Sequence, residues 1–325
     1  MKKTLLFICS LNLIINISGQ VEQMTIPSDL KQQTMITEPA TLRKGFFRIG
    51  IINYGGPADR MFDESGKKSY ISASNGWATM WYHELDLQYG ITDRLQVISG
   101  IPYNREKIYY AFETQYPGRD SSVIEYYKIK GNGLGDISIA ACYQILLEDE
   151  RKPSLVARLF LTLPTGRKNP KNIVDNNYEF DRATGYGETR LDFKLQLRKI
   201  FYPYSVTLYT SYVYNFKGKK IFYPGEEEIS FKSGGQLNIG SNFNIHLNDW
   251  IVLGNEVAYM KWWDDKFYGE TAEDQGITGR WVVHYQPSLI FQLRRFRFFE
   301  VMQFPLWGKS VGADPLYILG LQYII

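Results

Sequence analysis

Apolar and polar residues alternate with a period of two along most of the chain. The segment from Glu188 to Arg198 is the clearest case, because charged and amide side chains alternate there with Thr189, Leu191, Phe193, Leu195 and Leu197. Successive side chains of a β-strand point to opposite faces, so this alternation predicts a strand with one apolar face. Most of these segments reach ten residues or more, whereas strands of globular proteins cluster near about five or six.

Twelve such segments are separated by clusters of Gly, Pro, Asn and Asp. The predicted strands are residues 43–54, 79–89, 94–103, 133–146, 154–164, 186–198, 203–216, 230–246, 250–262, 278–292, 296–306 and 315–325. Long connections alternate with short ones, and the long ones are residues 55–78, 104–132, 165–185, 217–229, 263–277 and 307–314. A tilted membrane-spanning strand needs about 9–11 residues. Outer-membrane barrels join their strands by short turns at one end and long loops at the other. The sequence therefore predicts an all-β fold, a closed antiparallel up-and-down transmembrane β-barrel.

The composition favours a membrane barrel, in which the apolar faces of the strands contact lipid, over a soluble sandwich. Hydrophobic residues make up 44% of the chain and aromatic residues 15%, yet the mean hydropathy is −0.28. A barrel with an apolar outside and a polar lumen has this balance, whereas a soluble sandwich would bury the apolar faces in a core. A free sheet edge has no hydrogen-bond partner in lipid. We therefore expect the last strand, which ends at Ile325, to pair with the first.

The N-terminus has the pattern of a targeting segment. Lys2 and Lys3 precede an apolar run from Leu5 to Ile17, and a basic start followed by such a run is typical of a secretory signal. A buried N-terminal helix is the alternative. We predict a cleaved signal peptide over residues 1–20, a loose periplasmic segment over 21–42 and the barrel over 43–325. A signal peptide and a barrel together predict the outer membrane of a Gram-negative cell, with both termini in the periplasm.

Charge and cysteine content exclude several classes of protein. The formal net charge is +3, and loss of Lys2 and Lys3 with the signal would leave +1, so a nucleic-acid binder is not expected. Cys142 would be the one cysteine left after cleavage, which excludes an internal disulfide and a cysteine zinc site. His83, His246 and His284 lie far apart in sequence. No metal, no cofactor and no catalytic residue is therefore predicted.

The polar faces of the strands supply the candidate functional residues. Nine of them are predicted to face the lumen: Glu84, Asp86, Glu188, Arg190, Asp192, Lys194, Arg198, Arg280 and His284. One interpretation is a mixed-charge constriction that selects solutes. The other is a polar network that plugs a narrow barrel. The two are compatible, because a plug can open.

Several short motifs occur in a fixed order along the chain. They are Tyr89–Arg94, Gly100–Tyr103, Gly133–Asp136, Leu163–Gly166 and Thr184–Glu188. Their order and spacing resemble the outer-membrane barrel family named for the MetA pathway of phenol degradation, over roughly residues 80–310. The resemblance implies a closed antiparallel barrel that takes up small, often hydrophobic or aromatic, compounds. The C-terminus departs from outer-membrane barrels, since Tyr323-Ile324-Ile325 lacks a terminal aromatic residue.

These observations predict a porin-like channel that passes small compounds without energy coupling. The expected partners are outer-membrane lipid, lipopolysaccharide, the barrel-assembly machinery and a small-molecule solute, while the oligomeric state is left open. A structural or adhesive barrel that acts through its loops is the first alternative. A barrel hydrolase is the second, but it needs a serine beside a histidine, and no histidine here has a serine within two residues in sequence. A barrel protease would need an acid and a histidine at the rim; Asp264 and Asp265 have no histidine nearby in sequence, but cross-strand pairing could still supply one.

Overall fold

A computed structural model describes residues 41–42, 44–70, 77–114, 123–149, 151–172, 179–222, 225–248, 250–268, 279–293 and 295–325. The predicted signal peptide, and the predicted N-terminal segment up to residue 40, lie outside the described residues. In the described part of the chain, no helix has the length and hydropathy needed to cross a membrane.

The described residues form 21 β-strands. In chain order they are β1 (Phe47–Pro57), β2 (Arg60–Phe62), β3 (Lys68–Tyr70), β4 (Trp77–Gly90), β5 (Leu95–Thr114), β6 (Val123–Leu134), β7 (Ser138–Leu146), β8 (Ser154–Thr162), β9 (Lys171–Asn172), β10 (Glu179–Asp181), β11 (Arg190–Phe201), β12 (Tyr204–Asn215), β13 (Gly218–Lys220), β14 (Ile229–Lys232), β15 (Gln236–His246), β16 (Ile251–Trp262), β17 (Lys266–Tyr268), β18 (Trp281–Leu293), β19 (Phe296–Lys309), β20 (Val311–Gly312) and β21 (Leu316–Ile324).

Twelve of these strands close into an antiparallel barrel, which confirms the predicted fold. Around the wall the order is β1, β4, β5, β7, β8, β11, β12, β15, β16, β18, β19 and β21. The pairing of β1 with β21 closes the barrel, with Arg48 opposite Ile324 and Gly55 opposite Tyr317. Short turns join β4 to β5, β7 to β8, β11 to β12, β15 to β16 and β18 to β19. We call this the short-turn end and the opposite end the long-loop end.

The structure corrects two predicted boundaries near β5. Residues 104–132 were expected to form a loop, but β5 continues to Thr114 and pairs with β6 over its whole upper half. Charged residues such as Arg105 and Lys107 stand there, so the apolar face that marks a lipid-facing strand is lost. The strand predicted from residue 133 begins instead at Ser138, because Gly133 has a φ of 146° and the chain turns.

A third correction concerns the predicted strand 230–246, which divides into β14 and β15. Ser233, Gly234 and Gly235 separate the two pieces. A Cβ on Gly234 would overlap the backbone of Trp263, so the chain needs a glycine to pass this point. As a result β14 leaves the barrel and pairs with β13 and β17 in a small sheet among the long loops.

The outer face of the barrel is apolar and carries an aromatic belt at each end. Exposed outward residues near the short-turn end include Tyr89, Tyr143, Phe201, Tyr204 and Phe296. Exposed aromatic residues towards the long-loop end include Trp81, Tyr103, Tyr214, Trp263, Trp307 and Tyr317. Aromatic rings at two levels are typical of the two membrane interfaces.

One side of the barrel interior carries a buried apolar cluster. Val252, Ile290, Phe299 and Val301 form a buried cluster that is flanked by Ile52 and Ile318. The Phe299 ring lies against Gly320, where any Cβ would overlap it. The remainder of the interior is mostly polar.

Candidate functional site

Polar side chains fill the short-turn half of the barrel. Every barrel strand contributes at least one inward side chain there that is between 0 and 9% exposed. We call this set the plug layer; its members are Arg48, Asp86, Gln96, Gln144, Ser154, Gln196, Arg198, Ser205, Asn244, Glu256, Gln292, Arg297 and Gln322. Because each barrel strand carries a buried inward side chain at this level, the lumen is closed here.

Hydrogen bonds connect one side of the plug layer. Gln88 Nε2 and Gln322 Nε2 donate to Asp86 Oδ2, at 2.6 and 2.9 Å. Gln88 Oε1 in turn accepts from Gln96 Nε2 at 2.7 Å and from Arg48 Nη1 at 3.3 Å. Asp86 and Arg48 therefore belong to one network, which includes the amides of Gln88, Gln96 and Gln322.

On the opposite side of the barrel, a buried ion pair connects the turn after β7 to β11. Arg198 Nε donates to Glu148 Oε2 at 3.0 Å, and the two side chains are 1% and 2% exposed. The other carboxylate oxygen of Glu148 accepts the backbone N–H of Ile200 at 2.6 Å. Removing one partner of a buried ion pair costs far more than the pair contributes, so this contact fixes Arg198 across the short-turn end.

The N-terminal segment also contributes to this end. Thr41 and Leu42 are 2% and 4% exposed. The backbone N–H of Leu42 donates to Gln96 Oε1 at 2.7 Å, and Thr41 Oγ1 donates to the carbonyl of Asp93 at 3.0 Å. The residues just before β1 are therefore packed against the plug layer.

Above the plug layer, β11 presents a row of partly exposed charged side chains. Arg190 Nε donates to Asn215 Oδ1 at 2.8 Å, and its guanidinium lies 4.3 Å from the Tyr186 ring. Lys194 Nζ lies 4.1 Å from the Tyr209 ring. The Tyr209 hydroxyl donates to Glu256 Oε1 at 2.7 Å. Arg190 and Lys194 are thus each held against an aromatic ring.

The nine predicted lumen residues occupy three levels and form no single constriction. Asp86 and Arg198 lie in the plug layer and His284 is buried facing inwards. The partly exposed residues above the plug layer are Glu84, Arg190, Asp192 and Lys194. Glu188 and Arg280 lie at the long-loop end, before β11 and β18 begin.

Arg280 is held among the loops at the long-loop end. Residue 280 precedes β18, and its guanidinium pairs with Asp265 Oδ1 at 2.9 Å among the loops. The same Asp265 oxygen accepts the backbone N–H of Gly234 at 2.7 Å. Glu188 is buried at the same end, where its Oε2 accepts the backbone N–H of Ser233 at 3.0 Å.

Three of the sequence motifs meet at Asp136. Its two carboxylate oxygens accept the backbone N–H groups of Gly166 at 2.8 Å and Tyr186 at 2.7 Å. A Cβ on Gly185 would lie 2.5 Å from Asp136 Oδ1, so a glycine is needed there. Burial raises the pKa of the Asp136 carboxyl, and the two N–H donors oppose that rise. The motifs therefore fix how the long loops close over this part of the barrel.

Thr184 extends this junction to the β5–β6 hairpin. Its hydroxyl donates to the carbonyl of Leu134 at 2.6 Å and accepts the backbone N–H of Arg167 at 3.1 Å. Asn104 Nδ2 donates to the carbonyl of Thr184 at 2.6 Å. Residues 182–186 are therefore held against the inner face of the hairpin.

A cavity of about 440 Å³ opens beside this junction at the long-loop end. We call it the mouth cavity; its lining residues are Met80, Tyr82, Asn104, Glu106, Ile108, Ile129, Arg182, Ala183, Thr184, Gly185, Tyr186, Lys220, Ile221 and Phe222. Sites for small molecules have this size and this mixture of apolar walls with a few polar groups. Glu106 accepts the Tyr82 hydroxyl at 2.7 Å and pairs with Arg182 at 3.1 Å.

The fold does bring a serine and a histidine together across two strands. Ser205 Oγ lies 3.2 Å from His246 Nε2, and Asn244 Nδ2 donates to Ser205 Oγ at 3.2 Å. All three are buried in or beside the plug layer. In a working dyad a third group orients the histidine, but Asn244 contacts the serine instead. This pair has neither the access nor the orientation that hydrolysis needs.

Sequence analysis missed the residues of the mouth cavity. Tyr82, Glu106, Arg182 and Lys220 come from four separate elements, and only the folded loops bring them together. The glycine motifs around Asp136 were the one sequence feature that pointed to the mouth cavity, because they mark the loop junction that forms one wall of that cavity. No group of His, Cys, Asp and Glu suited to a metal occurs among the described residues.

Several solved structures align with this chain at low sequence identity. The COG4313 outer membrane channel from Pseudomonas putida F1 aligns with a TM-score of 0.67 and 14% identity, over 90% of this chain and 100% of that one. The toluene transporter TbuX of Ralstonia pickettii has a TM-score of 0.43 and 8% identity, over 87% of this chain and 90% of that one. The translocator domain of the autotransporter NalP from Neisseria meningitidis has a TM-score of 0.46 and 8% identity, over 87% and 89%.

The first of these likenesses establishes the fold, and the other two are too distant to add to it. No protein-family model matches the chain, so the resemblance to the phenol-degradation family stays a prediction. The chain has the fold of an outer-membrane channel barrel.

Proposed function

We propose that this protein lies in the outer membrane and passes small hydrophobic or aromatic compounds through its barrel without energy coupling. The mouth cavity is the observation that carries the proposal. It places the rings of Tyr82, Tyr186 and Phe222 at the long-loop end, where a solute would first meet the protein. Apolar walls of this kind hold a small aromatic molecule before it enters the polar lumen.

The orientation in the membrane is part of the same proposal. Outer-membrane barrels have their short turns in the periplasm and their long loops outside. Both described ends of the chain, Thr41 and Ile325, belong to the short-turn end. We therefore place both termini in the periplasm, after removal of a signal peptide. In that membrane the protein would be inserted by the barrel-assembly machinery and would contact lipid and lipopolysaccharide.

The plug layer then acts as the closed gate of the channel. Its side chains are mainly Gln, Arg and Ser, and in the described part of the chain no helix accompanies them in the lumen. Passage needs only a change of side-chain rotamers, a motion that does not require an energy source. This accounts for a barrel that is closed on average and passes solutes occasionally.

Single-channel recording tests the proposal. The detergent-refolded protein, shown by a heat-shift gel to be folded, is inserted into planar bilayers. We expect small, brief conductance steps, because the plug layer closes the lumen for most of the time. Benzyl alcohol added on the long-loop side should shorten these openings by occupying the mouth cavity. A folded protein that gives no steps at any voltage would contradict the channel and favour a barrel that acts through its loops.

A further inference from the structure

The lining of the mouth cavity contains a cation with no ion-pair partner in the described part of the chain. Lys220 Nζ lies 4.5 Å from the Phe222 ring and 4.9 Å from the Phe231 ring. Burial lowers the pKa of Lys220 and the nearby Arg182 lowers it further, whereas the charges of Glu188, Asp136 and Asp265 raise it, and the net shift is downward. The charge of this ammonium group is therefore only partly compensated by the protein.

The described acids around Lys220, including Asp265, accept hydrogen bonds from other donors, and none of these bonds comes from the Lys220 ammonium group. Glu106 binds the Tyr82 hydroxyl through one oxygen and Arg182 through the other. The Asp136 carboxylate accepts two backbone N–H groups. Glu188 accepts the backbone N–H of Ser233. Asp136 and Glu188 also stand behind the lining rather than in it.

Arg182 adds a second positive group on the same lining. Its Nη1 contacts Glu106 at 3.1 Å, while the side chain as a whole is 52% exposed. A guanidinium has five N–H donors, so it can hold Glu106 and still donate to another acceptor. The lining thus has two cations, Lys220 and Arg182, against one acid, Glu106.

We infer that the mouth cavity binds a monoaromatic carboxylate, with its ring among Tyr82, Tyr186 and Phe222 and its carboxylate at Lys220 and Arg182. The cavity of about 440 Å³ has room for one substituted benzene ring with hydration at its open side. A carboxylate at Lys220 would supply the missing countercharge, and hydrogen bonds between charged partners are the strong ones. This inference rests on the proposed function in that the ligand is a solute on its way to the lumen.

Benzoate and benzamide distinguish charge from shape, because the two molecules have nearly the same size. Their dissociation constants are measured by ligand-observed NMR on the full chain refolded in detergent. We expect benzoate to bind about tenfold more tightly than benzamide, the difference that one charge-assisted hydrogen bond provides. Equal affinity for the two ligands would overturn the carboxylate site.

Variants at adjacent lysines locate the effect. Lys220→Met should weaken benzoate binding about tenfold and leave benzamide binding unchanged, while Lys220→Arg should keep most of the affinity. Lys219→Met is the matched control, since Lys219 neighbours Lys220 on β13 and is exposed. A heat-shift gel shows that each variant is folded. Unchanged benzoate affinity in folded Lys220→Met would overturn the assignment.

The inference and the proposed function fail in different ways. If the protein conducts in bilayers but does not prefer benzoate, the carboxylate site is wrong and the channel stands. If benzoate binds through Lys220 while the folded protein gives no conductance, the binding site stands and the channel is wrong.

Discussion

Phe193→Asp is expected to prevent most of the protein from assembling, whereas Asp192→Leu should still give a folded barrel. Phe193 points outwards on β11 and is 46% exposed, opposite Leu159 and Tyr212 on the neighbouring strands. A basic residue on the lipid face costs on the order of 2–4 kcal/mol near the midplane and an acidic one somewhat less, and about 1.4 kcal/mol already changes an equilibrium tenfold. Asp192 points into the lumen, where the leucine replaces one of several charges beside water.

The heat-shift gel measures the folded fraction of both variants after refolding into detergent or lipid vesicles. The two positions are adjacent on one strand, so strand propensity and local sequence are matched and only the face differs. A folded Phe193→Asp variant together with an unfolded Asp192→Leu variant would reverse the assignment of lipid and lumen faces.

The second large effect is expected from opening the plug layer. Replacing Arg48, Arg198 and Arg297 together by alanine removes three of the largest fully buried side chains in the protein. The lumen at the short-turn end should then stay open, and the single-channel conductance and open time should rise several-fold over the wild type. Planar-bilayer recording at the same salt concentration measures both quantities.

Loss of the buried Arg198–Glu148 contact will also lower the stability of the triple variant, so its folded fraction is determined first. The matched control is Arg94, Arg105 and Arg151 replaced together by alanine, because these three arginines are exposed outside the lumen. The control should conduct like the wild type. A folded plug-layer variant with wild-type conductance would show that the arginines do not close the path.

The barrel was predictable from sequence because lipid and lumen impose opposite requirements on alternate residues. Phe193 and Leu197 had to be apolar, and Gln196 and Arg198 had to be polar. That constraint ends where the strands leave the membrane. The upper part of β5, with Arg105, Glu106 and Lys107, has no apolar face of this kind and was therefore taken for a loop.

The alternation of apolar and polar residues places a residue on the inner face of the barrel. It does not give the height of that residue along the barrel axis or its neighbours. Asp86 and Arg190 were both predicted to face inwards, and the structure places the first in the plug layer and the second near Tyr186 at the mouth. The pairing of Ser205 with His246 depends on the register between β12 and β15. The mouth cavity depends on loop contacts to Asp136, which no single stretch of sequence contains.

The chemical accessibility of Cys142 tests most directly whether solutes cross the interior. Cys142 faces inwards on β7, is fully buried, and lies beside the plug layer opposite Gln96 and Arg158. Its modification by methyl methanethiosulfonate is followed by mass spectrometry on folded protein in lipid vesicles, with Cys142→Ser as the background. We predict slow modification in the wild type and a rate at least about tenfold higher in the plug-layer variant, because the open state limits reagent access. Equal protection of Cys142 in both folded proteins would contradict a solute path through the barrel.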